Sequence, residues 1–272
     1  MFICIILTFV AFVPYFPLAL DTIKGYIFSI GISLSLMMFI IARLYEGSFP
    51  IPRSKIIVAG FALAIVVFLS SIFSSSFTLS FWGRGFEIET AAFFLAAFFA
   101  FFLSSHYFMR KDRFVLFFSS ILCVNIIVAL YTLFRLFAPS HLGFGVFDDA
   151  MTLPIGTWND AMLFFAFSAL ISLSFLDLIN VGKGVLRILS TVSLVMSMIM
   201  LIVGNFLTAW ILFGALLLVF FIYVVTIERS TALEMRKIPV VSLIVLLLCV
   251  LFVAGHSNIG TLPSQYFKVS YS

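Results

Sequence analysis

Side chains able to bind or transfer a charged group are confined to a few short stretches of this chain. The interval 138–160, APSHLGFGVFDDAMTLPIGTWND, holds His141, the acid pair Asp148 and Asp149, and ends in Trp158, Asn159 and Asp160. His141, Asp148 and Asp149 are the candidate catalytic bases, because a group that takes a proton from an attacking hydroxyl is usually His, Asp or Glu. Thr157 and Asp160 also fit a capping box at the start of a helix, and Trp158 fits an interfacial aromatic belt. In the interval 74–90, Arg84 stands between Gly83 and Gly85, with Glu87 and Glu89 behind it. The planar fork of an arginine suits a phosphate or pyrophosphate, and flanking glycines let the backbone approach a ligand closely. Pairing of Arg84 with Glu87 or Glu89 at the interface is the plainer alternative. Arg135, in YTLFRLFAP, lies near the end of an apolar run. Asn125, ten residues earlier, sits about 15 Å deeper at the helical rise of about 1.5 Å per residue. An arginine so placed either faces protein or a watery site or snorkels to the interface. Asn205, in VGNFLTAW, joins the candidate substrate-binding set of Arg84, Arg135, Trp158, Asn159, Asp160 and Asn205, or else bonds one helix to another.

What must position these residues is set by composition. Of 272 residues, 64% are hydrophobic and only 10% are charged, with a mean hydropathy of +1.29. Soluble domains carry about a quarter charged residues, and a chain this apolar must use the bilayer as its solvent. Apolar runs near the roughly 20 residues that cross a bilayer recur at 2–20, 25–43, 56–73, 90–108, 114–137, 160–179, 185–203, 206–226 and 238–255. The prediction is an all-α polytopic bundle of about nine spans forming a single transmembrane domain over 1–272, with the turn at 203–206 the tightest break. The first run has no basic n-region and no small-residue cleavage site, so it reads as a membrane helix, kinked or ended early by Pro14 and Pro17. No alternation of period two argues for an outer-membrane barrel. Cys4, Cys123 and Cys249 lie inside apolar runs at no metal-binding spacing, so three buried thiols are expected. No metal or cofactor is called for, and the dispersed basic residues of a chain with net charge +4 do not point to nucleic acid.

The basic residues speak instead about topology. With the N-terminus in the cytoplasm, the inner loops take Arg43, Arg53 and Lys55; Arg110, Lys111 and Arg113; Lys183 and Arg187; and Arg229, Arg236 and Lys237. That is 11 of the 15 lysines and arginines, leaving Lys24, Arg84, Arg135 and Lys268 outside. The loops 74–90 and 138–160 and the tail 256–272 then face outward. Acids and arginines are almost absent from the middle of the spans, so the chemistry is expected at the outer edge.

Several of these stretches, taken together, resemble the O-antigen ligase and O-antigen polymerase superfamily of bacterial inner-membrane proteins. LPIGTWNDAMLFFAFSALISLSFL is similar to the family's GTF-x-NPN segment, which opens a helix on the periplasmic face, and SSSFTLSFWGRGFEIETAAFFL to its serine-led loop. LIVGNFLTAWILFGALLLVF falls where a family helix begins with Ser-Arg-Gly-Ala-Trp; aligned on Ala209 and Trp210, the arginine's place is taken by Leu207. The resemblance implies metal-independent glycosyl transfer in polysaccharide or lipopolysaccharide synthesis. A saccharide on a polyprenyl-pyrophosphate carrier is passed to an acceptor glycan or lipid, arginines hold the pyrophosphate, and a loop base activates the acceptor. In the family a large catalytic loop and further helices follow, whereas this chain ends at Ser272, so a fragment or a member lacking that loop is expected. Two other readings stand beside it: a transporter or flippase of lipid-linked saccharide, and a non-catalytic membrane partner in envelope assembly.

Overall fold

A computed structural model describes residues 2–10, 20–47, 54–83, 90–137, 152–177, 184–231 and 239–259. The described chain is helical: α1 (Phe2–Val10), α2 (Leu20–Glu46), α3 (Lys55–Ile72), α4 (Phe77–Trp82), α5 (Ala91–Tyr107), α6 (Lys111–Phe137), α7 (Trp158–Asp177), α8 (Val185–Gly204), α9 (Leu207–Thr231) and α10 (Val240–Ile259). A two-stranded antiparallel hairpin, β1 (Thr152–Leu153) and β2 (Gly156–Thr157), precedes α7. Among the described residues six helices, within α2, α3 and α6–α9, are long and apolar enough to cross a membrane, while α5 and the 240–255 part of α10 are shorter apolar helices. In hydrocarbon every backbone N–H and C=O must be satisfied inside its own segment, and uninterrupted runs of Phe, Leu, Ile and Ala do this by coiling into helices. The protein is a multi-pass helical membrane protein whose apolar helices contact lipid.

By its packing the chain forms two compact units, with the boundary inside α6 at Phe117. In the first unit α2 and α5 meet at Ile32, Ala100 and Leu103, with Phe39 edge-on to Phe102 at 5.9 Å. Its outward faces carry large side chains such as Ile30, Leu34 and Met38, as expected of surfaces solvated by lipid. Within the interval 74–90, of which 84–89 lie outside the described residues, α4 stands where a loop was expected. Aromatic packing accounts for this short helix: the Phe81 ring lies 5.3 Å from Phe77, 4.9 Å from Trp82 and 6.1 Å from Phe68 of α3. Gly83, at φ 69°, ends it in the left-handed region where glycine carries no steric penalty.

In the second unit α7 is the central helix and packs against α8, α9 and α10. Its buried face mixes aromatics with small residues, Ala161, Ala166, Ala169, Ser168 and Ser172 among them. Membrane helices gain little from hiding apolar surface that lipid would cover anyway, so close backbone approach and hydrogen bonds hold them together. The small residues between the buried aromatics of α7 allow that close approach. At the far end of α7, Ser242 of α10 donates a hydrogen bond to Asp177, so this boundary acid ties two helix ends together. The expectation of three buried thiols is corrected at Cys123, which is exposed while Cys249 is buried. A helix in lipid has an outer apolar face, and a thiol, as a small hydrophobe, is at home there.

Candidate functional site

Four candidates, Arg84, His141, Asp148 and Asp149, lie outside the described residues. The other five, Arg135, Trp158, Asn159, Asp160 and Asn205, all belong to the second unit. They stand at the last turn of α6, the first turn of α7 and the turn between α8 and α9.

The start of α7 is built by local bonding. The Thr157 backbone N–H donates to Asp160 Oδ2 at 3.0 Å and its hydroxyl to the same oxygen at 2.6 Å. In return the Asp160 N–H donates to Thr157 Oγ1 at 3.3 Å. This is the reciprocal capping box expected from the sequence, with the carboxylate also well placed at the positive end of the helix dipole. The hairpin feeds the chain into this cap. Leu153 is buried against it, and Gly156 adopts φ 148°, where an added Cβ would lie only 2.9 Å from Asp160 Oδ2. Asp160 is therefore engaged in structure, while Asn159 is exposed. Removing the box in T157A or D160A is expected to cost about 1 kcal/mol each, with D160A/T157A costing no more than the worse single change. Denaturant titration in one lipid or detergent checks this, and unchanged stability in D160A would count against a capping role.

Trp158 does more than mark an interface. Its indole N–H donates to the carbonyl of Gly204 at 3.4 Å, tying the start of α7 to the end of α8. Just beyond, Asn205 caps α8 in the left-handed conformation, φ 46° and ψ 34°, with its N–H on Leu201 O. The chain re-enters a helix at Leu207, so the tight break expected at 203–206 is real, and asparagine suits it because its short side chain tolerates αL. Trp158 and Asn205 are thus brought to one end of the α7–α8 pair.

Arg135 is only 6% exposed. A snorkelling arginine would hold its guanidinium in water, and this one does not: it is enclosed and interacts with its surroundings. The guanidinium stays charged at any accessible pH, so a fixed cation with planar donors sits in the last turn of α6. Deeper in the same helix, Asn125 is fully buried and bonds across to Ser193 and Ser197 of α8. Sequence reading reached Asn125 only as a depth marker; the serines it bonds to, spaced four apart on α8, were the available signal. No group of three or more His, Cys, Asp or Glu able to hold a metal is found among the described residues. Compared with models of known protein families, with characterised proteins and with solved structures, the chain matches none of them.

Proposed function

We propose that this protein is a glycan ligase or polymerase of the O-antigen ligase and polymerase type, acting at the outer face of a bacterial inner membrane. The observation that carries the reading is Arg135: a charged guanidinium, 6% exposed, enclosed in the last turn of a membrane helix, a setting in which charged residues mark functional sites. In the transfer, the acceptor hydroxyl oxygen forms a bond to the anomeric carbon of the lipid-linked saccharide as the bond from that carbon to the pyrophosphate oxygen breaks. The pyrophosphate leaves on its polyprenyl carrier, and the acceptor proton passes to a base, for which His141, Asp148 and Asp149 are the candidates. Arginine donors stabilise the charge that grows on the leaving pyrophosphate, a role for Arg135 and Arg84, with Trp158, Asn159 and Asn205 lining the approach.

The topology that goes with this reading has about nine spans and a cytoplasmic N-terminus. It receives support from the described helix ends, because Arg43 ends α2, Lys55 opens α3, Lys111 opens α6 and Arg187 lies in the first turn of α8. Strict alternation of direction then brings all four to the inner side. The same alternation takes the end of α6, the start of α7 and the α8–α9 turn to the outer side.

Purified protein given lipid-linked saccharide and acceptor is expected to form product. R135A lowers the transfer rate about 100-fold, in the range found when one charge-stabilising donor is removed, and R135K fails to restore it because an ammonium lacks the planar fork. No product, together with unchanged binding in R84A and R135A, sinks the proposal. Flux of labelled saccharide into proteoliposomes without covalent change would favour a flippase, and a stable co-purifying partner without activity would favour an assembly role.

A further inference from the structure

Asn125 lies in the middle of α6, and its side chain is fully buried. Its amide Nδ2 is 2.8 Å from Ser193 Oγ, 2.9 Å from Ser197 Oγ and 3.2 Å from Ser193 O, sharing two N–H bonds among three acceptors on α8. The Ser197 hydroxyl reaches back to Asn125 Oδ1 at 3.3 Å. Ser172 of α7 joins the group through its hydroxyl, 3.1 Å from Ser193 Oγ. Three helices thus meet at one polar knot within an apolar interior, and all four side chains are 0% exposed.

Much of the buried face of α6 does little to fix its height. Ile121, Leu122, Val124, Val128 and Ala129 are aliphatic, and such a seam packs nearly as well after sliding. Thr132, the next buried hydroxyl, bonds to Val128 O on its own helix, so it carries no cross-helix information. A slide of one turn, about 5.4 Å, would break the bonds to at least one of Ser193 and Ser197. A polar residue bonded across an apolar seam is an established way to specify register. Between Asn125 and Arg135 the sequence IIVALYTLF contains neither glycine nor proline, so the helix transmits that register rigidly to its last turn.

We propose that Asn125, held by Ser193 and Ser197, is a positioning residue that sets the depth of the Arg135 guanidinium for a pyrophosphate-bearing lipid. The pyrophosphate in this statement rests on the glycan-transfer reading; the register lock does not. Two readouts separate them, both on the chain in lipid nanodiscs. With farnesyl pyrophosphate as probe, N125L and R135A are each expected to weaken binding about tenfold, or about 1.4 kcal/mol. The double variant N125L/R135A binds no more weakly than R135A, because a residue acting through another does not add to its loss. N125Q, which keeps the amide, recovers part of the affinity. The second readout needs no ligand. With Cys4, Cys123 and Cys249 replaced by alanine, R135C is labelled by a membrane-impermeant maleimide, and N125L or S193A/S197A changes the labelling rate several-fold. Additive losses in the double variant, or a rate at R135C that neither change alters, would overturn the proposal. If the rate shifts but the unaltered chain does not bind the probe, the lock stands and the glycan-transfer reading falls.

Discussion

Replacing Trp210 with alanine is expected to destabilise the second unit by about 3 kcal/mol, a value at the low end of the cost of deleting a buried aromatic. Trp210 is 1% exposed and stacks on Phe252 of α10 at 4.2 Å between centroids, 19° from parallel. Its indole N–H donates to Leu201 O at 3.1 Å, bridging α9 to the end of α8, and its own carbonyl lies 3.8 Å from Cys249 Sγ. In lipid the usual transfer term largely vanishes, because a side chain leaving the protein interior enters hydrocarbon rather than water. What remains is the stack, about 0.5–1.5 kcal/mol beyond area, the hydrogen bond to a carbonyl that water cannot reach, about 1–3 kcal/mol, and dispersion lost across the void. W210F separates these: it keeps a ring against Phe252 and gives up only the N–H, so about 1 kcal/mol is expected to be lost. Unfolding by SDS titration in a fixed micelle measures both. A loss below about 1 kcal/mol in W210A would mean that the α8–α9–α10 contact is not held through this residue.

Most of the helices could be read from the chain because the signal for a membrane helix is long and local. Apolar runs at 56–73, 114–137 and 185–203 appear as α3 (Lys55–Ile72), α6 (Lys111–Phe137) and α8 (Val185–Gly204), within a few residues at each end. The capping box at Thr157 and Asp160 was equally legible, since both partners lie within one turn. The hairpin before it was not. Two residues per strand, Thr152–Leu153 and Gly156–Thr157, are too few for a period of two to show. The six-residue helix α4 was hidden for a related reason, because aromatic contacts within it and with Phe68 of α3 rather than any run of its own make it helical.

The buried side of each helix is where sequence reading stopped. Hydropathy cannot say which face of a uniformly apolar helix meets protein, so Cys123 was assigned inward and lies outward. Asn125 and the serines at 172, 193 and 197 are separated by as many as 72 residues; the four-residue spacing of Ser193 and Ser197 marks a polar face on α8 but does not say which helix meets it. Arg135 was placed correctly near the end of its helix, yet the choice between snorkelling and enclosure depends on neighbours from other helices. Four of the nine candidate site residues fall outside the described chain, so the bases proposed for the acceptor proton rest on residue type alone.

The close approach of α7 and α8 leads to the second large effect. Gly204, the last residue of α8, is buried where a Cβ would sit 1.9 Å from Met162 Sδ, 2.7 Å from its Cγ and 2.9 Å from its Cε. Met162 is itself 0% exposed, so its thioether cannot swing into lipid and must repack or push the helices apart. G204A is expected to cost about 1–3 kcal/mol, the range for overpacking a filled interior, and G204V more than about 3 kcal/mol because its branches add volume in the same place. The cost is a matter of one neighbour, and that makes it testable. M162A alone leaves a void and costs about 2 kcal/mol, the low end for such a deletion because the transfer term is small in lipid, but G204A/M162A lets the new methyl take space that the thioether vacated. The double variant should therefore be more stable than the sum of the two losses by at least about 1 kcal/mol, within the coupling found for residues in contact. Strict additivity would show that Gly204 and Met162 do not limit the helix spacing. The same pair governs the candidate site, because the Gly204 carbonyl receives the Trp158 indole N–H. Any variant that parts the helices also withdraws Trp158 from the turn at Asn205. Transfer activity in G204A should then fall with stability and return with it in G204A/M162A, whereas loss through Arg135 should persist in a fully stable protein.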